Sequence, residues 1–252
     1  MQGIALSNQS SSQGRVSRGS RFLYLFLTQV LLLAVLPWLD KATWSSVLVR
    51  LVGGAALYFT VYAVSEKRAH WIIALALTIP AGILNATYAL HPDPKIAIPT
   101  WLCTIASLLF SLVALLRAVI RTREITSDTI YGALSVYMLI GIVWGVCYIL
   151  LETLQPGALA MDPTRHPQHQ LDWFDCMFYS FVTLTTVGYG DMIPVSGPAR
   201  SLSVLEAICG VMYVAILVAR LVGLYSASRD RAYPEREFAR QARANLSESG
   251  NI

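Results

Sequence analysis

The segment Thr185-Thr186-Val187-Gly188-Tyr189-Gly190-Asp191 decides how this chain of 252 residues is organised. An ordinary strand alternates its carbonyl groups to left and right, so it cannot present a single row of oxygens. Glycine adopts positive φ without the penalty that a Cβ imposes, and Gly188 and Gly190 stand two positions apart. Positive φ at alternate positions turns successive carbonyl groups to the same side. The segment therefore predicts one row of backbone oxygens.

The composition indicates a polytopic membrane protein. The chain is 55% hydrophobic and 13% charged, whereas soluble domains carry about 25% charged residues. The formal net charge of +4 does not indicate nucleic acid, because the basic residues fall at the ends of apolar stretches. Each of the four cysteines lies in an apolar stretch or in a predicted short helix, and all are interpreted as small buried hydrophobic residues, so we expect no disulfide framework.

Six apolar stretches are long enough to cross a bilayer. They are residues 22–39, 44–64, 71–90, 99–120, 130–151 and 200–225. The connection between the last two is too polar at its start to span, but residues 171–184 within it predict a short re-entrant helix. Asp172 is expected to cap this helix, and Asp175 lies in its first turn, where the helix dipole favours an acid.

Positive charge predicts the orientation. Basic residues cluster before the first stretch, between the second and third, after the fourth and after the sixth. These positions all fall on one side of the membrane, which the positive-inside rule identifies as the cytoplasmic side. We therefore expect a multi-pass protein of the cell membrane, with both termini cytoplasmic and the Gly188 segment entering from outside.

The run TTVGYGD at Thr185–Asp191, hereafter the filter segment, resembles the selectivity filter of potassium channels in the tetrameric cation-channel superfamily. From Ile130 onward the chain resembles the outer helix, pore helix, filter and inner helix of that superfamily. The resemblance implies an all-α membrane protein with six transmembrane helices plus a re-entrant pore helix and a selectivity-filter loop. Because each chain has one filter, it also implies a homotetramer in membrane lipid, with no obligate protein partner evident and no nucleic acid.

The resemblance also implies the roles of the filter residues. Carbonyl oxygens of Thr186, Val187, Gly188 and Tyr189 would replace the hydration shell of K⁺, the permeant ion, with no other cofactor. The Thr186 hydroxyl would form the floor of the lowest site. The expected ion-binding residues are Thr186, Val187, Gly188, Tyr189 and Gly190. Asp191 is expected to hold negative charge at the outer mouth.

Residues behind the filter are expected to support it. Phe178 and Tyr179 occupy the pore-helix positions where the family has an aromatic cuff, and Val182 is apolar where some relatives have an acid. Glu206 is the one acid well inside the sixth stretch. A structural hydrogen bond behind the filter is the preferred interpretation of Glu206, with proton-linked gating as the alternative. The expected supporting set is Phe178, Tyr179, Val182, Thr185 and Glu206.

The inner helix carries a candidate hinge and a candidate gate. Gly210 stands where the family has its proposed hinge, but a small residue there also allows close helix packing. An apolar stripe at three- and four-residue spacing fits either an inner vestibule or simple packing; it consists of Val211, Val214, Val218 and Val222. Arg220 is expected to face away from this stripe and to reach lipid headgroups.

The chain divides into four predicted segments. They are a disordered cytoplasmic tail at 1–20, a four-helix transmembrane domain of unknown role at 21–125, the pore domain at 126–226, and a short basic cytoplasmic tail at 227–252. A voltage sensor needs several arginines spaced through the hydrocarbon. The fourth stretch has Arg117 alone, in its final turn, so we expect a channel that is not voltage-gated.

These observations favour passive, potassium-selective conduction. One alternative is a non-selective cation channel, against which Tyr189 argues because relatives that lose selectivity usually depart from the GYG sequence. Others are an ion-uptake subunit that depends on a partner and a non-conducting membrane scaffold. An enzyme is not expected, because no metal-binding cluster or nucleophile–base pair stands out in the sequence.

Overall fold

The computed structural model describes residues 21–39, 68–91, 93–122, 126–161 and 171–249. These residues form helices and a small two-stranded sheet. In chain order the elements are α1 Arg21–Leu39, α2 Arg68–Leu90, α3 Pro94–Arg121, α4 Ser127–Leu154, β1 Leu159–Met161, α5 Trp173–Leu184, β2 Met192–Pro194 and α6 Gly197–Ser249.

The predicted all-α membrane class is confirmed. Four stretches of the described residues are long and apolar enough to cross a membrane: Ile72–Leu90, Pro94–Arg121, Ser127–Leu154 and Gly197–Leu224. Helix α1 adds a shorter apolar stretch at Phe22–Val35. The predicted tail at 1–20 and the predicted span at 44–64 lie outside the described residues, so the count of six spans stays a prediction.

Two helices begin earlier than their apolar stretches predict. Asp93 caps α3 by accepting a hydrogen bond from the Lys95 amide at 2.9 Å, and Pro94 takes the first helical position. Thr126 caps α4 by accepting from the Thr129 amide at 3.2 Å. The helices therefore begin at their polar caps, whereas the apolar stretch marks only the part suited to hydrocarbon.

Helix α4 lies at the centre of the described structure. It contacts α1, α3, α5 and α6, while α2 packs on α3. Close packing of α5 on α4 requires glycine on α4. A Cβ at Gly141 would stand 2.6 Å from Phe181 Cε1, and one at Gly145 would stand 2.9 Å from Met177 Cε. These two contacts set the distance between the outer helix and the re-entrant helix.

A short sheet holds the outer loops together and was not predicted. Strands β1 and β2 pair antiparallel, with Met161 opposite Met192. The Glu152 carboxylate at the end of α4 accepts hydrogen bonds from the amides of Gly157 at 2.5 Å and Leu159 at 3.2 Å. Because β2 begins directly after Asp191, the sheet anchors the outer end of the filter segment to α4.

Helix α6 extends well beyond its predicted end. The apolar stretch predicts a helix over residues 200–225, but the helix runs from Gly197 to Ser249. It therefore includes most of the basic segment at 227–252. Alanine, arginine and glutamate recur in this segment. All three favour helix, although the charged arginines and glutamates do not favour hydrocarbon.

Candidate functional site

The re-entrant helix α5 begins at a reciprocal pair of hydrogen bonds. The Asp172 carboxylate accepts from the Asp175 amide, and the Asp175 carboxylate accepts from the Asp172 amide, both at 2.8 Å. The predicted cap at Asp172 is thus confirmed. Burial raises the pKa of the Asp172 carboxyl, and the neighbouring charge of Asp175 acts in the same direction. The opposite end of α5, at Leu184, carries about half a negative charge from the helix dipole.

Positive φ recurs at alternate positions of the filter segment. Gly188 has φ 56° and Gly190 has φ 80°, as the sequence predicts. Thr186 also has positive φ, at 59°, which the sequence analysis missed. For a β-branched residue this conformation is strained, at a cost on the order of 1–3 kcal/mol. Thr186 lies two positions before Gly188, so the alternation of Gly188 and Gly190 could have predicted its positive φ.

The amides of the filter segment turn back toward the end of α5. The Val182 carbonyl accepts from the amides of Val187 at 3.0 Å and Gly188 at 3.3 Å, and the Thr183 carbonyl accepts from the Thr186 amide at 2.9 Å. These bonds use the carbonyls that the last turn of a helix leaves unpaired. They hold the donor side of the filter backbone against α5, which leaves its acceptor side for other partners.

The two aromatic residues of the expected cuff have different partners within the single chain. The Phe178 ring is parallel to the Tyr189 ring, with centroids 6.0 Å apart and planes 3° apart. Tyr179 is buried away from the filter side chains, with its ring 4.9 Å from that of Tyr148 and its hydroxyl 2.7 Å from Ser203 Oγ. Adjacent helical residues point about 100° apart, so Phe178 and Tyr179 cannot share one face.

Two further predicted residues bond locally. The Thr185 hydroxyl donates to the Phe181 carbonyl at 2.6 Å and so continues the last turn of α5. The Asp191 carboxylate accepts from the Met192 amide at 3.0 Å and remains half-buried where β2 begins. In the single chain residues 185–190 are exposed, including Val187 at 53% and Tyr189 at 68%.

Glu206 lies at the junction of three helices and is fully buried. The Tyr148 hydroxyl on α4 donates to Glu206 Oε2 at 2.6 Å. Ser180 Oγ on α5 lies 2.5 Å from Glu206 Oε1. Sequence reasoning identified Glu206 but missed Tyr148 and Ser180. A serine and a tyrosine inside apolar helices were the available signal, because buried hydroxyls need partners.

Gly210 packs directly on the end of the re-entrant helix. A Cβ there would collide with the Leu184 carbonyl oxygen and would stand 3.0 Å from Leu184 Cδ1. The Tyr137 hydroxyl on α4 donates to the same carbonyl at 3.3 Å. Helix α6 continues through this position. Gly210 was interpreted as either a hinge or a site of close helix packing, and the contact with Leu184 supports close packing.

The apolar stripe of α6 is exposed in the single chain. The predicted apolar stripe is exposed by 46–60% and comprises Val211, Val214, Val218 and Val222. Arg220, which was expected to reach lipid headgroups, has partners within the protein. Its guanidinium donates to the carbonyls of Ile120 at 2.6 Å and Thr122 at 2.9 Å, at the C-terminal end of α3. A cation at a helix C-terminus is favoured by the dipole.

The chain is similar to an ion-channel family and to several known proteins. A family described as "Ion channel" matches residues 132–227. Protein LctB of Geobacillus stearothermophilus is 30% identical over 121 residues, which is 46% of this chain and 88% of LctB. The human potassium voltage-gated channel subfamily A member 4 is 35% identical over 95 residues, which is 38% of this chain. The inward rectifier potassium channel Kirbac3.1 of Paramagnetospirillum magnetotacticum is 30% identical over 78 residues, which is 31% of this chain.

This chain covers only a small part of two of these relatives, 13% of the human channel and 22% of Kirbac3.1. No solved structure matches significantly. The family match covers most of α4, both strands, α5, the filter segment and the apolar part of α6. The chain therefore belongs to the ion-channel family and not to a family of enzymes.

Proposed function

We propose that this protein conducts K⁺ passively and selectively through a pore lined by the filter segments of four identical chains. One observation carries the proposal: positive φ at Thr186, Gly188 and Gly190 combined with amides held by carbonyls of α5. This geometry frees the carbonyl oxygens of Thr186–Tyr189 to replace the water that K⁺ sheds on entry. Gly190 then closes the ion-binding set, and Asp191 holds negative charge at the outer mouth.

The end of α5 supports a cation on the pore axis. The C-terminal end of this helix precedes the filter segment directly. Four such ends would place partial negative charge around the same point, which offsets part of the cost of a cation at mid-membrane. The parallel stack of Phe178 and Tyr189 supports the same arrangement, because it fixes a filter side chain outside the ion path.

A homotetramer accounts for the surfaces that one chain leaves open. Val187 and Tyr189 are exposed in the single chain, although both lie in the filter segment. The apolar stripe Val211, Val214, Val218 and Val222 of α6 is exposed as well. Three further copies would enclose the filter segments and would leave the stripe to line an inner vestibule. With one filter segment in each chain, four-fold lining requires four chains.

Conduction is proposed to be independent of membrane voltage. Arg117 is exposed on α3, one turn from the end of the helix at Arg121. Moving one charge through the whole field yields only about 2.3 kcal/mol per 100 mV. One arginine near the end of a helix crosses a small part of that field. The protein is proposed to lie in the cell membrane with both termini in the cytoplasm, an orientation that the distribution of basic residues supports.

Flux into liposomes tests the proposal. Protein reconstituted into liposomes is given a K⁺ gradient or an equal Na⁺ gradient, and cation entry is measured. We expect K⁺ entry that exceeds Na⁺ entry at least about tenfold, a difference of about 1.4 kcal/mol in barrier height. Equal entry would favour a non-selective cation channel. No entry without an added partner would favour a partner-dependent ion-uptake subunit.

A matched glycine pair separates the filter from general backbone strain. Gly188 and Gly157 both have positive φ, and neither has an atom within 4 Å of the position of an added Cβ. Gly188→Ala is expected to bring the ratio of K⁺ to Na⁺ entry close to one. Gly157→Ala places the same strain in the outer loop and is expected to leave the ratio unchanged. Equal effects of both substitutions would contradict the assignment of the filter.

A further inference from the structure

Glu206 is an acid without a cation partner in the described structure. It is fully buried within the membrane-spanning part of α6. The described groups that hydrogen-bond to it are the hydroxyls of Tyr148 and Ser180. An ionised carboxylate in such surroundings loses its hydration without gaining an opposite charge. Burial therefore favours the neutral carboxylic acid.

The number of hydrogens available for the hydrogen bonds of Ser180 also favours the neutral form of Glu206. Ser180 Oγ lies 2.5 Å from Glu206 Oε1 and 2.8 Å from the Gly141 carbonyl oxygen. A serine hydroxyl has one hydrogen, and a carbonyl oxygen has none. When Ser180 donates to Gly141, the hydrogen between Ser180 and Glu206 has to come from Glu206. An ionised Glu206 would take the Ser180 hydrogen and leave the contact with Gly141 without one.

Neighbouring hydroxyls have other partners. The Ser203 hydroxyl donates to the Ala199 carbonyl at 2.8 Å, so Ser203 Oγ accepts from the Tyr179 hydroxyl at 2.7 Å. The Tyr148 hydroxyl already donates to Glu206 Oε2. A proton on Glu206 is therefore the hydrogen that completes the network.

Among the residues that the structure describes, no titratable group near Glu206 compensates a negative charge. The groups close enough to interact with its charge lie on α4 and α5; they are Tyr137, Cys147, Tyr148 and Tyr179. Each is neutral at pH 7 by its ordinary ionisation and becomes negative when ionised. On α6, the exposed Arg200 directs its Nε to the Pro194 carbonyl at 3.2 Å.

Ser180 links this proton to the filter segment. It lies two residues after Phe178, whose ring stacks on Tyr189. It also lies two residues before Val182, whose carbonyl holds the amides of Val187 and Gly188. A bond from Glu206 to Ser180 therefore fixes the rotation of α5 between the two points at which α5 holds the filter.

We propose that Glu206 acts as a neutral hydrogen-bond donor to Ser180, positions α5 against α6 through that bond, and lowers conduction when it loses its proton at alkaline pH. Glu206 is a positioning residue, because it acts on the filter through Ser180. The effect on conduction rests on the proposed function, whereas the protonation state does not.

Potassium flux at neutral and alkaline pH tests the effect on conduction. We expect flux through the unsubstituted channel to fall about tenfold (about 1.4 kcal/mol) at alkaline pH. Glu206→Gln keeps a neutral donor and an acceptor, so its flux at both pH values should stay within about twofold of the flux of the unsubstituted channel at neutral pH. Glu152→Gln, which changes an acid that accepts two loop amides, is the control and should keep the alkaline fall.

Three results of the pH experiment would overturn the proposal. They are flux that does not change with pH, an alkaline fall that persists in Glu206→Gln, and loss of the fall in Glu152→Gln. Glu206→Ala should lower flux at neutral pH about tenfold. If this variant does not assemble, Ser180→Ala replaces it, because it removes the acceptor and leaves the carboxyl group. Full flux in Ser180→Ala would contradict the positioning role.

Infrared difference spectroscopy tests protonation even in a channel that does not conduct. The spectrum of the unsubstituted protein minus that of Glu206→Gln at neutral pH should show the carbonyl stretch of a protonated carboxylic acid. A carboxylate band in its place would overturn the inference. Absence of potassium flux at every pH, with the carboxylic acid band present, would instead count against the proposed function.

Discussion

Gly210 of α6 lies directly against the carbonyl oxygen of Leu184, the last residue of α5. An inner helix and a re-entrant helix are thereby in contact at the point where the filter segment begins. The Tyr137 hydroxyl from α4 reaches the same carbonyl. Three helices therefore meet at the base of the filter segment.

Gly210→Ala is expected to destabilise the protein. The added Cβ would meet backbone atoms of Leu184, and backbone can move only if the filter segment moves with it. Overpacking of this kind costs about 1–3 kcal/mol. Gly223→Ala on the same helix is the control, because a Cβ there meets no atom within 4 Å. Thermal unfolding in detergent should show a lower midpoint for Gly210→Ala alone; equal midpoints would contradict the contact.

Phe178→Leu is expected to weaken potassium selectivity. The substitution removes the ring that stacks on Tyr189, and such pairs contribute about 0.5–1.5 kcal/mol beyond their buried area. The ratio of K⁺ to Na⁺ entry into liposomes should fall. Phe174→Leu alters an aromatic pair with Trp173 at the other end of α5 and should leave the ratio in place. A larger loss in Phe174→Leu would contradict the role of Phe178.

Arg220→Gln is expected to loosen the attachment of α6 to α3. The guanidinium donates to two carbonyls at the end of α3, and hydrogen bonds from charged groups contribute about 1.5–3 kcal/mol. The thermal unfolding midpoint should fall. Arg117→Gln removes the same charge from an exposed position on α3 and should change the midpoint little. Equal midpoints for the two variants would show that the contact contributes no stability.

Arg117→Gln is also expected to leave the relation between conductance and voltage unchanged. One charge close to the end of α3 crosses a small part of the membrane field. The conductance of the unsubstituted channel should vary weakly with voltage in planar bilayers. A steep sigmoidal relation that flattens in Arg117→Gln would show that this arginine senses voltage.

The sequence predicts the elements whose signals are local. Helix α5 could be predicted in both position and cap, because Asp172 and Asp175 flank the start of an apolar run. Positive φ at Gly188 and Gly190 could also be predicted, because glycine alone adopts it freely. The predicted starts of α3 and α4 came several residues too late in the sequence, because the polar caps Asp93 and Thr126 lie outside the apolar stretches.

Features that depend on tertiary contacts could not be predicted. Strands β1 and β2 have three residues each and pair across the whole pore loop. The partners of Glu206 come from α4 and α5, so its burial is a result of packing. The positive φ of Thr186 contradicts its local preference and persists because α5 holds the neighbouring amides.

The reversal potential under bi-ionic conditions tests selective conduction by the filter segment most directly. Channels in a planar bilayer are given a tenfold K⁺ gradient, with Na⁺ replacing K⁺ on the dilute side. For a pore that selects K⁺, the current should reverse at about 59 mV, the value for a single charge and a tenfold ratio of K⁺ concentrations. Gly188→Ala should bring the reversal potential close to zero. A reversal potential near zero in the unsubstituted channel would contradict the proposal that carbonyl oxygens of Thr186–Tyr189 select potassium.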